Sequence, residues 1–198
     1  MLQSRRKKIT RGDLANAVGR FDRVGPAAGQ PMATVRAIAR MACDHKLTLE
    51  ERVKWVMVEI DHQEETLRLC DEANREFVKA QEASKVTLRC MGRVVTVVST
   101  HQFATNVGYA FASVVIAQNP AMLVDFRDPT KGTYNKFTVC RYDSHVKCDL
   151  PAALMELQAL EPGWGGRSDI FGSPQGVSSM LTLDQVVEGV SRHLKPLE

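Results

Sequence analysis

The sequence predicts an α/β protein in two parts: an N-terminal helical connector, residues 1–84, and a mixed β-sheet domain flanked by helices, residues 85–198. Three observations predict it. Apolar residues recur at helical spacing from about residue 12 to residue 84. From Lys85 the texture turns to Val- and Thr-rich runs, which favour strands. Beyond Lys85, runs with strand character alternate with runs of helical spacing. At 198 residues the chain is long enough for one domain or two small ones.

The elements follow in order. "GDLANAVGRF" reads as a short helix that begins near Asp13, and "DRVGPAAGQP" breaks it. "MATVRAIARMACDHK" resumes helical spacing through Met32, Val35, Ile38, Ala39 and Ala42. Thr48 with Glu51 three residues on is a capping box, and it opens a long patterned helix that runs to about Ser84. "KVTLRCMGRVVTVVST" reads as two strands around Met91-Gly92. "TNVGYAFASVVIA" reads as a helix, "AMLVDFRD" as a buried strand, "PTKGT" as a turn and "YNKFTVCRYD" as the returning strand of a hairpin. In "DLPAALMELQALE", Asp149 is the expected N-cap and Pro151 falls in the first turn, where proline is tolerated. "VSSMLTL" reads as a last strand and "TLDQVVEGVSRHL" as a closing helix.

Charge and cysteine usage narrow the function. The chain carries 26 Lys and Arg against 23 Asp and Glu. Five of those bases and none of the acids lie in residues 1–11, which leaves 21 against 23, about −2, for the rest. A basic footprint for duplex DNA is therefore missing outside the tail, while a local anion site is allowed. Cys43, Cys70, Cys90, Cys140 and Cys148 are odd in number and form no C-x-x-C. They read as small core thiols in a reducing, cytoplasmic compartment. Asp143, His145 and Cys148 are too sparse for a zinc site. No apolar run reaches the length of a membrane span.

The stretch from Pro162 to Gly176, "PGWGGRSDIFGSPQG", holds five glycines and two prolines in fifteen residues. Glycines leave backbone N–H groups unshielded, and amides in mixed left- and right-handed conformations make a concave anion site. Gly165-Gly166 is such a pair, Arg167 adds a permanent charge with planar donors, and Ser173 adds a hydroxyl. Trp164 reads either as a platform for stacking a base or as a lid on the core. By composition alone, the stretch is an anion cradle or a structural turn.

The order strand-arginine (Arg141), helix, Gly-Gly loop resembles the C-terminal, DHH-associated domain of the DHH phosphoesterase superfamily, over about residues 86–195. That superfamily includes RecJ-type exonucleases, oligonucleotide nucleases and exopolyphosphatase-like proteins. The resemblance implies that Arg141, Gly165, Gly166 and Arg167 hold a phosphate and that Ser173 assists. It implies a nucleotide, an oligonucleotide or another phosphate ligand as partner. The family's loop histidine is absent here, with Trp164 and Arg167 in its neighbourhood, and there is no Asp-His-His. The resemblance thus implies a binding module without its own two-metal centre, with Mn or Mg expected only where a catalytic domain is supplied elsewhere. The chain is then expected to be a fragment, a split subunit that meets a separate catalytic chain, or a domain recruited for binding.

Two other readings stand beside this one. A non-enzymatic interaction protein would dock a partner, or a second copy, through the helical region. A complete metal-dependent hydrolase would draw unfamiliar ligands from Asp125, Asp128, Asp143 and His145.

Overall fold

The structure, a computed structural model, describes residues 11–24, 46–58, 71–72, 75, 77–101, 104–109, 111–123, 128–141 and 148–195. The expected helix over 32–46 and much of the long helix 48–84 lie outside these residues. The chain divides into two compact units, residues 1–73 and 74–198.

In the first unit, α1 spans Arg11–Val24 and α2 spans Leu49–Val58. The expected capping box is present. The Glu51 amide donates to Thr48 Oγ1 at 3.2 Å, and the Thr48 amide donates back to Glu51 Oε2 at 2.7 Å. These bonds from Thr48 hold the Glu51 carboxyl below the usual glutamate range.

The second unit is a six-stranded mixed sheet flanked by helices. Its elements are β1 (Ser84–Arg89), β2 (Val94–Ser99), α3 (Ala104–Gly108), β3 (Val114–Leu123), β4 (Thr133–Arg141), α4 (Leu150–Leu160), β5 (Gly165–Gly166), β6 (Ile170–Gly172) and α5 (Leu183–Ser191). The strand order is β1-β2-β3-β4-β6-β5. β2 and β3 run parallel, and every other neighbouring pair is antiparallel.

Both faces of the sheet are buried, and the side-chain period of two divides the strands between them. Val94, Val114, Ile116, Phe137 and Val139 face one core, with Leu150, Leu157, Val186 and Val190 from α4 and α5. Val95, Val97, Val115, Ala117 and Cys140 face the other, with Ala80 and with Ala104 and Val107 of α3. A strand covered on both sides carries apolar residues without alternation, which is the texture of "VVTVV" and "VVIA".

Three sequence expectations are corrected here. The helix expected over 105–117 is only the short α3. Val114–Ala117 belong instead to β3, which the expected strand 121–128 overlaps only at its end. A short apolar run has no period of its own, and burial between two helical layers decided for strand. Residues 177–183 form no strand. The last two strands lie inside the glycine-rich stretch. α4 starts as expected: Asp149 accepts from the Ala152 amide at 3.1 Å. α5 has a second capping box, Thr182 with Gln185.

Candidate functional site

The glycine-rich stretch folds as a β-hairpin on the edge of the sheet. Gly165 lies opposite Gly172 and Gly166 opposite Phe171. The Arg167 amide donates to the Ile170 carbonyl at 2.7 Å and closes a two-residue turn, Ser168-Asp169. β6 is then held by β4, and β5 is the outermost strand.

This arrangement replaces the concave nest of consecutive amides. Hydrogen-bonded and non-bonded pairs alternate along an antiparallel ladder. Arg167 with Ile170 is a bonded pair, so Gly166 with Phe171 is not, and the Gly166 amide faces the open edge. Gly166 is glycine for a steric reason. Its φ is +153°, and a Cβ there would stand 2.4 Å from the Ile170 carbonyl oxygen and 2.5 Å from Phe171 Cα.

Arg141 and Arg167 meet at one turn. The Arg141 amide donates to the Asp169 carbonyl at 2.8 Å. The Arg167 guanidinium stands 3.3 Å from the Asp169 carboxylate, and its side chain is 60% exposed. The side chain of Arg141 takes a different direction. By alternation it leaves β4 on the face of Val139, and its Nη1 donates to the Cys148 carbonyl at 2.8 Å. Gly165, Gly166 and Arg167 are exposed, and Arg141 is half-buried.

Two expected site residues are corrected. Ser173 is 1% exposed. Its amide donates to the Phe137 carbonyl at 3.1 Å, and its Oγ accepts from the Phe137 amide at 2.9 Å, so it continues the ladder beyond Gly172. Its hydroxyl is committed to the fold. Trp164 is 2% exposed. It is stacked on Phe137, with ring centroids 6.1 Å apart, and edge-on to Phe171 at 6.2 Å. The indole N–H donates to Glu161 Oε2 at 2.7 Å. Of the two roles read for Trp164, lid and stacking platform, this burial describes the lid. A buried indole with its N–H satisfied leaves no face for a base.

Glu161 is a residue that sequence reasoning missed. Its carboxylate accepts from Trp164 Nε1, from Ser179 Oγ at 2.7 Å and from the Met180 amide at 2.6 Å. It thereby ties the end of α4 to the segment that leads into α5. Arg93 was missed as well, because nothing near it in sequence suggests a site. Its guanidinium donates to the Lys195 carbonyl, 102 residues away.

Of the carboxylates read as unfamiliar metal ligands, Asp128 accepts from the Thr130 amide at 3.1 Å and from the Thr130 hydroxyl. Asp125, Asp143 and His145 lie outside the described residues. Among the described residues, no group of three or more His, Cys, Asp or Glu is placed to hold a metal ion. Asp149, Asp169 and Asp184 are engaged with the Ala152 amide, Arg167 and Arg89 respectively. These donors do not fit a two-metal centre. No described helix is long and apolar enough to cross a membrane.

Cys140 and Cys148 are buried and Cys90 is half-buried, all as free thiols. Burial pushes the Cys140 thiol up to about 12, against a smaller opposing effect of its 3.0 Å contact with the Tyr109 hydroxyl. Cys43 and Cys70 lie outside the described residues.

No protein-family model matches the sequence, and no curated protein is significantly similar to it. Among solved structures, the chain aligns with the pGpG-specific phosphodiesterase PggH from Vibrio cholerae at 13% identity and a TM-score of 0.44. The alignment covers 78% of this chain and 54% of PggH, so the chain spans about half the length of that protein.

Proposed function

We propose that the sheet unit is a phosphate-recognising module for nucleotides or single-stranded nucleic acid, of the kind that serves DHH-type phosphoesterases. Gly165, Gly166 and Arg167 are its exposed, ligand-facing residues, Arg141 holds the turn from β4 through its backbone amide, and Ser173 and Trp164 act from behind as supports. One observation carries the reading. Arg141 and Arg167 bracket a single turn beside an exposed glycine edge with an unshielded amide. An exposed guanidinium offers a phosphate paired, planar donors. Asp169 holds Arg167 in place but is itself partly exposed, so a phosphate can compete for the guanidinium. The described residues bind and orient. A hydrolytic step, with Mn or Mg, belongs to a catalytic domain supplied elsewhere.

The test is fluorescence anisotropy of a labelled short single strand. Arg167→Ala is expected to weaken binding about tenfold or more, the worth of one charged hydrogen bond. The fold should stay intact, because the side chain is mostly exposed. Equal binding by wild type and Arg167→Ala would leave the hairpin as a structural corner only.

The reading as an interaction protein is favoured by α2. Leu49 and Val53, four residues apart and so on one helix face, are 68% and 53% exposed. Under that reading the chain is a dimer in solution, and Val53→Lys turns it into a monomer by light scattering.

A further inference from the structure

Helices α4 and α5 pack on the same face of the sheet, yet only α5 has a polar outer side. α5 buries Val186, Gly189 and Val190 and turns Asp184, Gln185, Glu188 and Arg192 at its end outward. That is the ordinary division of a surface helix. α4 buries Leu150, Ala153 and Leu157. At about 100° per residue, Met155 points away from that buried side, with Pro151 and Ala159 roughly one turn before and after it. Met155 is 71% exposed, and Pro151, Gln158 and Ala159 are exposed as well. None of these four carries a charge. The one charged residue of α4, Glu156, is drawn sideways to Arg192 at 2.6 Å and to His193 at 2.8 Å.

A helix that is apolar on every side belongs in a core or beneath a partner. The apolar surface also continues at the C-terminal end of α4. Leu160 is 54% exposed, and Met180, whose amide donates to Glu161, is 85% exposed. Scattered exposed apolar residues are normal, but a contiguous patch marks an interaction site.

The occupant this face fits is a second copy of itself. Met155 is the midpoint of α4, and small side chains stand four residues to either side, at Pro151 and Ala159. The order small, large, small reads the same in both directions, and self-complementarity is what a two-fold interface requires. Where like meets like, a charge near the axis would face its own copy, and this face carries none. Two α4 helices that run antiparallel and cross at Met155 set each Met155 against the low positions 151 and 159 of the other. A flexible thioether fills such gaps well. A stable interface takes about 800 Å² from each partner. The helix, about 16 Å long, supplies part of that area, and Leu160 and Met180 extend it.

We propose that the chain forms a two-fold dimer through α4, with Met155 at the axis. The proposal is independent of the phosphate-binding reading, and it places the interface in the sheet unit rather than on α2.

Light scattering of the full chain at micromolar concentration is expected to give the mass of two chains. Met155→Lys sets two ammonium groups at the axis and is expected to give the mass of one, 22.0 kDa, while Val53→Lys stays a dimer. A monomeric wild type overturns the proposal, since the face then awaits some other partner. A dimer that survives Met155→Lys overturns it too. Cysteine cross-linking decides if a variant fails to fold or if both dissociate. Met155→Cys is expected to form a disulfide-linked dimer under mild oxidation, because only residues near the axis bring their own copies within disulfide reach. Glu188→Cys, on the charged side of α5, is expected not to. Equal cross-linking at the two positions, or none at 155, overturns the proposal.

Discussion

Gly165 and Gly166 are adjacent, exposed and identical in sequence terms, yet the structure gives them opposite tolerance to a methyl group. At Gly166 a Cβ would stand 2.4 Å from the Ile170 carbonyl oxygen, at a φ of +153° that L-residues rarely adopt. Backbone strain of that kind costs about 1–3 kcal/mol. The clash is with main chain rather than a flexible side-chain tip, and the shift it forces adds about 1–3 kcal/mol. Gly166→Ala is therefore expected to lose about 2–6 kcal/mol, a large part of the ~5–15 kcal/mol that holds a domain together. At Gly165 nothing lies within 4 Å of the same methyl group, and its φ is outside the left-handed region. Gly165→Ala is expected to stay within about 1 kcal/mol of wild type, with a small gain from a stiffer unfolded chain. The assay is urea denaturation followed by Trp164 fluorescence in a Trp55→Phe background. With an m-value of about 1–3 kcal/mol/M, the Gly166→Ala midpoint should fall by about 1 M or more. If both variants unfold at the same urea concentration, close approach of the hairpin backbone is not the reason for glycine at 166.

Two further outcomes are expected. Glu161→Ala removes the acceptor for Trp164 Nε1, Ser179 Oγ and the Met180 amide. It should cost about 2–4 kcal/mol, mostly from leaving a buried indole N–H unsatisfied, with a smaller loss for Glu161→Gln, and thermal denaturation reads both. Cys140 should resist iodoacetamide at pH 8.5 while the protein is folded, since burial lifts its thiol to about 12. Because the folded value is raised above the ordinary value of about 9, the stability it contributes is present below pH 9 and lost as pH rises towards 12. The alkaline fall in melting temperature should be shallower in Cys140→Ala.

The sequence by itself determined the local events. Two helix starts were legible because a cap is read from residues within one turn of chain: Thr48 with Glu51, and Asp149 before Pro151. β4 and the hairpin from β3 into it were legible from strand texture around a turn. The glycine-rich stretch stood out as well, though its composition alone left it between an anion cradle and a structural turn. Tertiary structure decided everything that depends on what lies across the sheet. "VVIA" became a central strand because helices cover both its faces, a fact absent from the run itself. The glycine stretch became a hairpin because β4 offers an edge to β6, and that pairing turned the Ser173 hydroxyl and the Trp164 indole inward. Arg93 and Lys195 are 102 positions apart, so no window of sequence holds both. Capping is a matter of one turn of chain, whereas burial, edge pairing and bonds between residues a hundred positions apart arise only when the whole sheet closes.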